Sequence, residues 1–362
     1  MTTRQGALPE AASDARVHIV GAGLIGASVG IGLTAEGWSV TISDADPQAE
    51  RLAHAIGAGG ALTGDAPRPH LVVVAVPPSA AADAVVASLR AWPEAVVTDV
   101  ASVKGPLARA AVAAGLGERY VGSHPMAGRE ISGGRAAQGD LFKARPWVVC
   151  AGEAPRAAVD LVSAVARTLQ ADVVEMDAEA HDAAVARVSH APQVAASAVA
   201  AALGPLTGND VALAGQGLRD VTRIAASEPA MWADIARLNS HSLVTTLEHI
   251  IADLEDVRDA DDIGEALTDL IERGRMEVAR IPGKHGGATR DWVAVTVIVP
   301  DRPGQLLRLL TDAEAAAVNV EDITIEHSPR QPVGLTTLHV LPESAPALVE
   351  ALTAQHWEIA SP

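Results

Sequence analysis

The stretch Gly21-Ala22-Gly23-Leu24-Ile25-Gly26 constrains this chain more than any other. It follows a short apolar run, Val17-His18-Ile19-Val20, and opens a helical pattern that reaches about Ala35. Glycines at these three positions permit a tight turn, close approach of a pyrophosphate to the backbone, and close packing of helix on strand. The helix start adds free N–H groups and the positive end of its dipole. Alone, G-x-G-x-x-G is a weak signal; with the strand and helix in place it predicts a nucleotide-binding β-α-β unit, held through Gly21, Gly23, Leu24, Ile25 and Gly26. A second strand over residues 39–43 ends at Asp44, 44 − 21 = 23 residues beyond the first glycine. That is close to the roughly 20-residue spacing of a carboxylate that holds ribose hydroxyls. An acid there repels a 2′-phosphate and no arginine directly follows it, so NAD is expected over NADP. The competing reading has Asp44 only capping a helix that starts near Pro47.

The alternation continues. Residues 71–76 (LVVVAV) form the continuous apolar run typical of a parallel strand and end at Pro77-Pro78. Helix is expected over 79–89 and 103–114, strand over 95–98 and 119–121, and a last α/β stretch over 147–175. The expected fold is α/β, a Rossmann-type doubly wound sheet spanning 15–177. Ligands of such sheets lie beyond the carboxyl ends of the strands, which puts Val76, Pro77, Ser102 and His124 on one rim. His124 sits in Gly122–Glu130 (GSHPMAGRE) just past the strand end at 119–121. An imidazole whose ordinary pKa is near 6.5 suits proton transfer at neutral pH. The plain alternatives are a loop histidine satisfied by backbone groups and, for Ser102, a helix N-cap.

From 178 to about 280 the periodicity is helical. Val188-Ser189-His190-Ala191-Pro192-Gln193 places a proline inside that pattern, which predicts a bend. Residues 229–256 read as one long amphipathic helix burying Met231, Ile235, Leu238, Leu243, Leu247 and Ile250, continued by an acidic run over 253–262 that reads as a solvated face. Within GQGLRDVTRI (215–224), Arg223 offers a planar fork suited to a carboxylate, and Asp220, three residues earlier, can hold it on one helical face. A surface Asp–Arg pair is the alternative. Residues 281–290 (IPGKHGGATR) read as a basic, glycine-rich linker carrying His285, and 291–362 follow a β-α-β-β-α-β order, ferredoxin-like.

Composition excludes several classes. The 362 residues carry 27 Lys and Arg against 45 Asp and Glu, a net charge of −18, with one Tyr and one Phe. That charge repels phosphate backbones and leaves few rings for stacking, so no nucleic-acid partner is expected. No apolar run approaches the roughly 20 residues of a membrane helix. Residues 1–14 lack the apolar core of a signal peptide and read as a flexible tail. Cys150 is the single cysteine, which rules out a disulfide frame and a thiolate zinc site; no metal is expected, and the location read from this is cytoplasmic.

Together these motifs resemble the prephenate dehydrogenase family of tyrosine biosynthesis, whose members oxidise prephenate or arogenate. The resemblance rests on Gly21–Gly26, Asp99–Gly105 (DVASVKG), GSHPMAGRE, His181-Asp182, 188–193 and 217–232 (GLRDVTRIAASEPAMW), which come in the family's order. It implies that His124 is the catalytic base with Ser102 beside it on the substrate hydroxyl, that Arg223 binds the ring carboxylate, that Asp44 holds the adenosine ribose, and that helical domains (178–280) of two subunits intertwine as a homodimer. Two positions depart from the family pattern. Where many members read SHLPH this chain has Ser189-His190-Ala191-Pro192-Gln193, and Arg129 replaces a small hydroxyl residue before Glu130. Gln193 with Glu130 suits the ammonium group of arogenate, whereas Arg129 suits the anionic side chain of prephenate, so both substrates stay open. Asp301-Arg302-Pro303-Gly304-Gln305-Leu306 and Asn319 resemble an ACT domain, with tyrosine as the expected effector and assistance to dimerisation as the alternative reading. A β-hydroxyacid dehydrogenase would want a lysine in the helical region, and residues 178–279 contain none. A silent NAD and amino-acid sensor would be expected to have lost His124, Ser102 or Arg223.

Overall fold

The computed structural model describes residues 14–64, 66–128, 133–281, 292–327 and 332–360. The chain forms two compact units, Met1–Ile251 and Ala252–Pro362.

The first unit opens with β1 (Arg16–Val20), α1 (Leu24–Ala35), β2 (Ser39–Ser43), α2 (Pro47–Ala55), β3 (Leu71–Val74), α3 (Pro78–Ala91), β4 (Val96–Asp99), α4 (Gly105–Ala113), β5 (Tyr120–Pro125), β6 (Pro146–Cys150), α5 (Arg156–Thr168) and β7 (Asp172–Glu175). The seven strands pair in the order β2-β1-β3-β4-β5-β6-β7. Pairing is parallel throughout except between β5 and β6. Strand residues point alternately to two cores. Leu71 and Val73 pack with α1 and α5, while Val72 and Val74 pack with α3 and α4. Burial on both faces is why these strands read as unbroken apolar runs, and it is the doubly wound arrangement anticipated from sequence.

Two local expectations are corrected. β5 does not end at 121 but runs to Pro125, so His124 lies within a strand. A segment rich in glycine and proline has low strand propensity of its own. Here β6 supplies an antiparallel ladder, with His124 opposite Val148, that holds the segment extended. The long helix expected over 229–256 is two helices, α10 (Pro229–Leu238) and α11 (Ser240–Asp259), as labelled below. They are broken at Asn239, whose φ of −112° and ψ of 31° leave the helical region.

The helical part contains α6 (Ala178–Val185), a wide π-type turn at Ala186–His190, α7 (Ala191–Ala201), α8 (Gly208–Val211), α9 (Gln216–Thr222), α10 and α11. The π turn ends two residues before Pro192, which has no N–H to return to the preceding turn, so a wider turn stands where the proline predicts a bend. Ile235 and Leu243 are buried as expected, but Met231 remains 44% exposed.

In the second unit, Asp262 caps α12 (Ile263–Val278) by accepting from the N–H groups of Gly264 and Glu265. The acidic run before it is engaged at the surface: Asp253 pairs with Arg273 at 2.9 Å, and Asp259 with Arg258 at 2.5 Å. Then come β8 (Val293–Pro300), α13 (Gln305–Ala315), β9 (Asp322–His327), β10 (Val333–Val340), α14 (Ala345–Ala354) and β11 (Glu358–Ile359), in the β-α-β-β-α-β order read from the sequence. The sheet order is β11-β8-β10-β9, over a core that includes Val297, Leu309, Leu338, Leu348 and Trp357. Asp301, Pro303 and Gly304 are exposed at the β8–α13 turn, and Asn319 Nδ2 donates to Glu321 Oε1 at 2.8 Å. His285 and most of the expected linker lie outside the described residues.

Candidate active site

The glycine turn is built for an anion. Gly21 has φ +109°, and a Cβ there would meet the Ala75 carbonyl oxygen at 2.3 Å, so the turn crosses directly against the end of β3. A Cβ on Gly26 would meet the Gly21 oxygen at 2.0 Å, which lets α1 start hard against the turn. Gly23 is the N-cap of α1 and differs: no atom lies within 4 Å of its would-be Cβ. No side chain caps this helix and no acid stands in its first turn. The first N–H groups, including those of Leu24 and Ile25, are therefore left without a side-chain cap, with the positive dipole end behind them. Asp44 follows β2, where its Oδ2 accepts from Ala22 N at 2.6 Å and its Oδ1 from Asp46 N at 2.8 Å. The cap of α2 is Asp46, not Asp44, which leaves the Asp44 carboxylate beside the glycine turn. Val76 and Pro77 follow β3 on the same rim. These residues fit a dinucleotide without a 2′-phosphate.

His124 sits two strands further along, on β5. Its Nδ1 lies 2.9 Å from Nε2 of His181 on α6, and His181 Nδ1 lies 2.9 Å from Asp182 Oδ1. Asp182 is itself fixed by the start of α4: Oδ1 accepts from Lys104 N at 2.7 Å and Oδ2 from Gly105 N at 2.8 Å. Asn239, in the break between α10 and α11, donates through Nδ2 to the Asp182 carbonyl at 2.8 Å and contacts His190 Nδ1 at 3.2 Å. Beneath the histidine, the fully buried Lys104 ammonium pairs with Asp99 and donates to the Ser123 carbonyl at 2.6 Å. Tyr120 donates to Asp99 Oδ2 at 2.6 Å, and Ser123 donates to the Asp99 carbonyl at 2.6 Å. A buried charge pair of this kind persists only with further hydrogen bonds to both partners, and here the Ser123 carbonyl supplies one to Lys104 and Tyr120 one to Asp99.

The electrostatics follow from this packing. Burial, then the Lys104 cation, then His181 and His190 push the His124 imidazole well below its ordinary range, so it is neutral at neutral pH. Burial lowers His190 to about 4. Burial acts to raise Asp182, but the hydrogen bonds from His181, Lys104 and Gly105 outweigh it and the carboxyl ends below its usual value. Burial, reinforced by Asp99, drives Tyr120 well up.

Ser102 lies in the β4–α4 loop, part-buried; α4 is preceded by Lys104, so Ser102 is not its N-cap. His190 and Gln193 line a cavity of about 470 Å³ together with Ser197, Trp232, Ile235 and Leu243. The Gln193 amide is occupied by its own chain: Nε2 donates to the Ile224 carbonyl at 3.0 Å, and Oε1 accepts from Ser227 at 3.2 Å. It thereby holds the turn at Arg223–Ala226 that carries Arg223. Asp220 accepts from Gln216 Nε2 at 2.8 Å. Arg129 and Glu130 lie outside the described residues.

Sequence reasoning did not single out Lys104, Asp99, Tyr120, His181, Asp182 or Asn239 as site residues. The adjacent His181-Asp182 pair early in a helix, and a lysine inside an otherwise apolar loop-to-helix stretch, were the available signals. Asn239-Ser240 is a weak local signal for a break, since asparagine often ends helices and serine often starts them.

Comparison with known proteins points to one family. Residues 29–175 match the description "prephenate dehydrogenase, nucleotide-binding domain" and residues 177–269 "prephenate dehydrogenase, dimerization domain". The chain is 34% identical over 356 residues to a probable prephenate dehydrogenase, NovF, of Streptomyces niveus, covering 94% of this chain and 98% of that one. It is 30% identical to a cyclohexadienyl dehydrogenase of Zymomonas mobilis, covering 67% and 87%. A crystal structure of prephenate dehydrogenase from A. aeolicus, in complex with hydroxyphenyl propionate and NAD+, superposes with a TM-score of 0.65 at 28% identity, covering 74% of this chain and 99% of that one. With its glycine turn, its strand-borne histidine and this likeness along nearly its whole length, the chain belongs to the prephenate dehydrogenase family.

Proposed function

We propose that this NAD-dependent dehydrogenase oxidises and decarboxylates prephenate to 4-hydroxyphenylpyruvate. The observation that carries the reading is His124: a neutral imidazole at the carboxyl end of a nucleotide-binding sheet, one strand beyond the loop that bears Ser102. Prephenate carries a hydroxyl on C4 of a cyclohexadiene and a carboxylate on C1. Bound NAD supplies a hydride acceptor for C4. His124 takes the hydroxyl proton as the C4 carbonyl forms, with the Ser102 hydroxyl beside it. The C1–carboxylate bond then breaks and carbon dioxide leaves. Its electron pair moves through the ring to the C4 oxygen, which takes a proton back and becomes a phenol. Aromatisation makes the sequence downhill, so the protein's work is to orient, deprotonate and hold the ring carboxylate, the task given to Arg223.

Arogenate, which differs only in its amino-acid side chain, is the second reading, favoured by the cyclohexadienyl dehydrogenase relative. His190, Gln193, Arg129 and Glu130 are the residues proposed to meet that end of the substrate, with Asp220 near the clamp. The cofactor contacts proposed are Gly21 to Gly26, Asp44, Val76 and Pro77. A homodimer through the helical region, and a tyrosine-binding role for Asp301, Pro303, Gly304 and Asn319 in the C-terminal sheet domain, complete the reading. In this division, residues 15–177 hold NAD, 178–280 serve substrate and dimerisation, and 291–362 regulate. NADH formation measured with prephenate and with arogenate, each with and without tyrosine, tests the substrate and the regulation. Absence of turnover with both substrates refutes the function, and indifference to tyrosine refutes the regulation.

A further inference from the structure

The chain of groups behind His124 settles a question that the base itself leaves open. A neutral imidazole has one N–H and one free lone pair, and only a histidine whose lone pair faces the substrate can take a proton from it. The network decides which nitrogen that is. Asp182 holds both carboxylate oxygens against N–H groups of Lys104 and Gly105, so it acts as an acceptor only. His181 Nδ1, 2.9 Å from Asp182 Oδ1, must therefore carry hydrogen and donate it. In neutral His181 this leaves Nε2 bare, and Nε2 is the atom 2.9 Å from His124 Nδ1. His124 Nδ1 accordingly carries the hydrogen and His124 Nε2 keeps the lone pair. His181 is 1% exposed, so water does not compete for the contact. Asn239 locks the far side by donating to the Asp182 carbonyl at 2.8 Å.

We infer that His181, braced by Asp182, is a positioning residue that fixes His124 in the tautomer whose Nε2 accepts the substrate proton. The inference rests on the reading of His124 as the base. The same contacts spread the charge once His124 is protonated: Nδ1–H then points at a neighbour backed by a carboxylate, which opposes the repulsion from Lys104. A carboxylate that orients a catalytic histidine in this way governs turnover more than substrate binding.

The test compares kcat and KM for NADH formation in wild type, His181→Leu, His181→Gln and Asp182→Asn, with thermal melting and NADH binding as controls for folding. His181→Leu is expected to lower kcat about 10²-fold with KM within about threefold of wild type. Glutamine, whose Oε1 can accept from His124 Nδ1–H, is expected to recover about tenfold of that loss. Asp182→Asn keeps the shape of the site but presents an amide that can donate to His181 Nδ1, reversing the polarity of the chain; it is expected to lose about 10²-fold or more in kcat. Folded variants with kcat within threefold of wild type, or a folded glutamine variant no faster than the leucine one, overturn the inference. A wild type that turns over neither prephenate nor arogenate overturns the functional reading beneath it as well. An active wild type whose His124→Asn variant is crippled while the His181 and Asp182 variants are not overturns this inference alone.

Discussion

Two glycines five atoms of backbone apart serve different ends, and one methyl group on each separates those ends. At Gly21 a Cβ would stand 2.3 Å from the Ala75 carbonyl oxygen and 2.7 Å from its carbon, on a backbone with φ +109°. Both obstacles are main chain, so no rotamer can relieve them. The disallowed φ costs about 1–3 kcal/mol and the overpacking about another 1–3 kcal/mol. Gly21→Ala should therefore lose about 2–6 kcal/mol, a large share of the roughly 5–15 kcal/mol that holds a domain together. At about 2–4 °C per kcal/mol for a unit of this size, the first melting transition should fall by roughly 10 °C. Gly23 has an ordinary φ of −70° and nothing within 4 Å of a would-be Cβ. Gly23→Ala should leave the melting temperature of the free protein nearly unchanged, within about 0.5 kcal/mol of stability. The added methyl instead occupies the space through which a pyrophosphate approaches the N–H groups of α1. Losing one charge-assisted hydrogen bond of about 1.5–3 kcal/mol weakens NAD by about tenfold to a hundredfold. Differential scanning calorimetry and NADH fluorescence titration read the two effects separately. An unchanged melting temperature for Gly21→Ala, or unchanged NADH affinity for Gly23→Ala, would refute the assignment of one glycine to the fold and the other to the ligand.

Four further outcomes follow from the site. Asp44→Ala removes the carboxylate proposed for the ribose and the acceptor of the Ala22 N–H; NAD should weaken about tenfold and discrimination against NADP should shrink, and an unchanged NAD-to-NADP ratio of kcat/KM sinks the assignment. His124→Asn should cut kcat by about 10²–10⁴ while NADH binding persists. Because burial and Lys104 hold His124 well below its ordinary range, the base is neutral at pH 6.5 and is lost only as pH falls through its depressed pKa; an acid limb of kcat/KM at or above pH 6.5 contradicts this. Arg223→Ala should raise the KM for substrate by about 10²-fold with little change in NADH affinity, and an unaltered KM removes the clamp.

What the sequence made legible was set by how local each signal is. The β1–α1–β2 unit could be read almost to the residue, because its strands are buried on both faces and its turn demands glycine for geometric reasons. The π turn before Pro192 was visible as a bend because a missing N–H is a property of one residue. The extent of β5 was not visible: Gly122 and Pro125 argue against a strand, and the ladder that overrules them comes from β6, a separate segment of the chain. The break at Asn239 was only weakly marked, since the apolar periodicity runs through it and the groups that reward leaving the helix, the Asp182 carbonyl and His190, lie 57 and 49 residues away.

The same distance effect decides where the chemical unit ends. By composition, residue 177 divides an α/β stretch from a helical one, and the family descriptions meet there too, at 175 and 177. The hydrogen bonds ignore that line. Asp182, on the helical side, caps the start of α4 on the nucleotide side through Lys104 and Gly105. In return α4 gives Asp182 two backbone donors, and the positive end of its dipole favours the carboxylate form. His181 reaches across from α6 to His124 at the carboxyl end of β5, and is itself buried there. A nucleotide-binding fold ending at 177 would keep its glycine turn and Asp44, and with them the means to hold a dinucleotide. It would leave Lys104 and Gly105 with unpaired N–H groups and His124 with no partner for Nδ1. On the proposed assignments the cofactor contacts lie on the nucleotide side of that line, whereas the defined tautomer proposed for His124 exists only where sheet and helices are closed on each other.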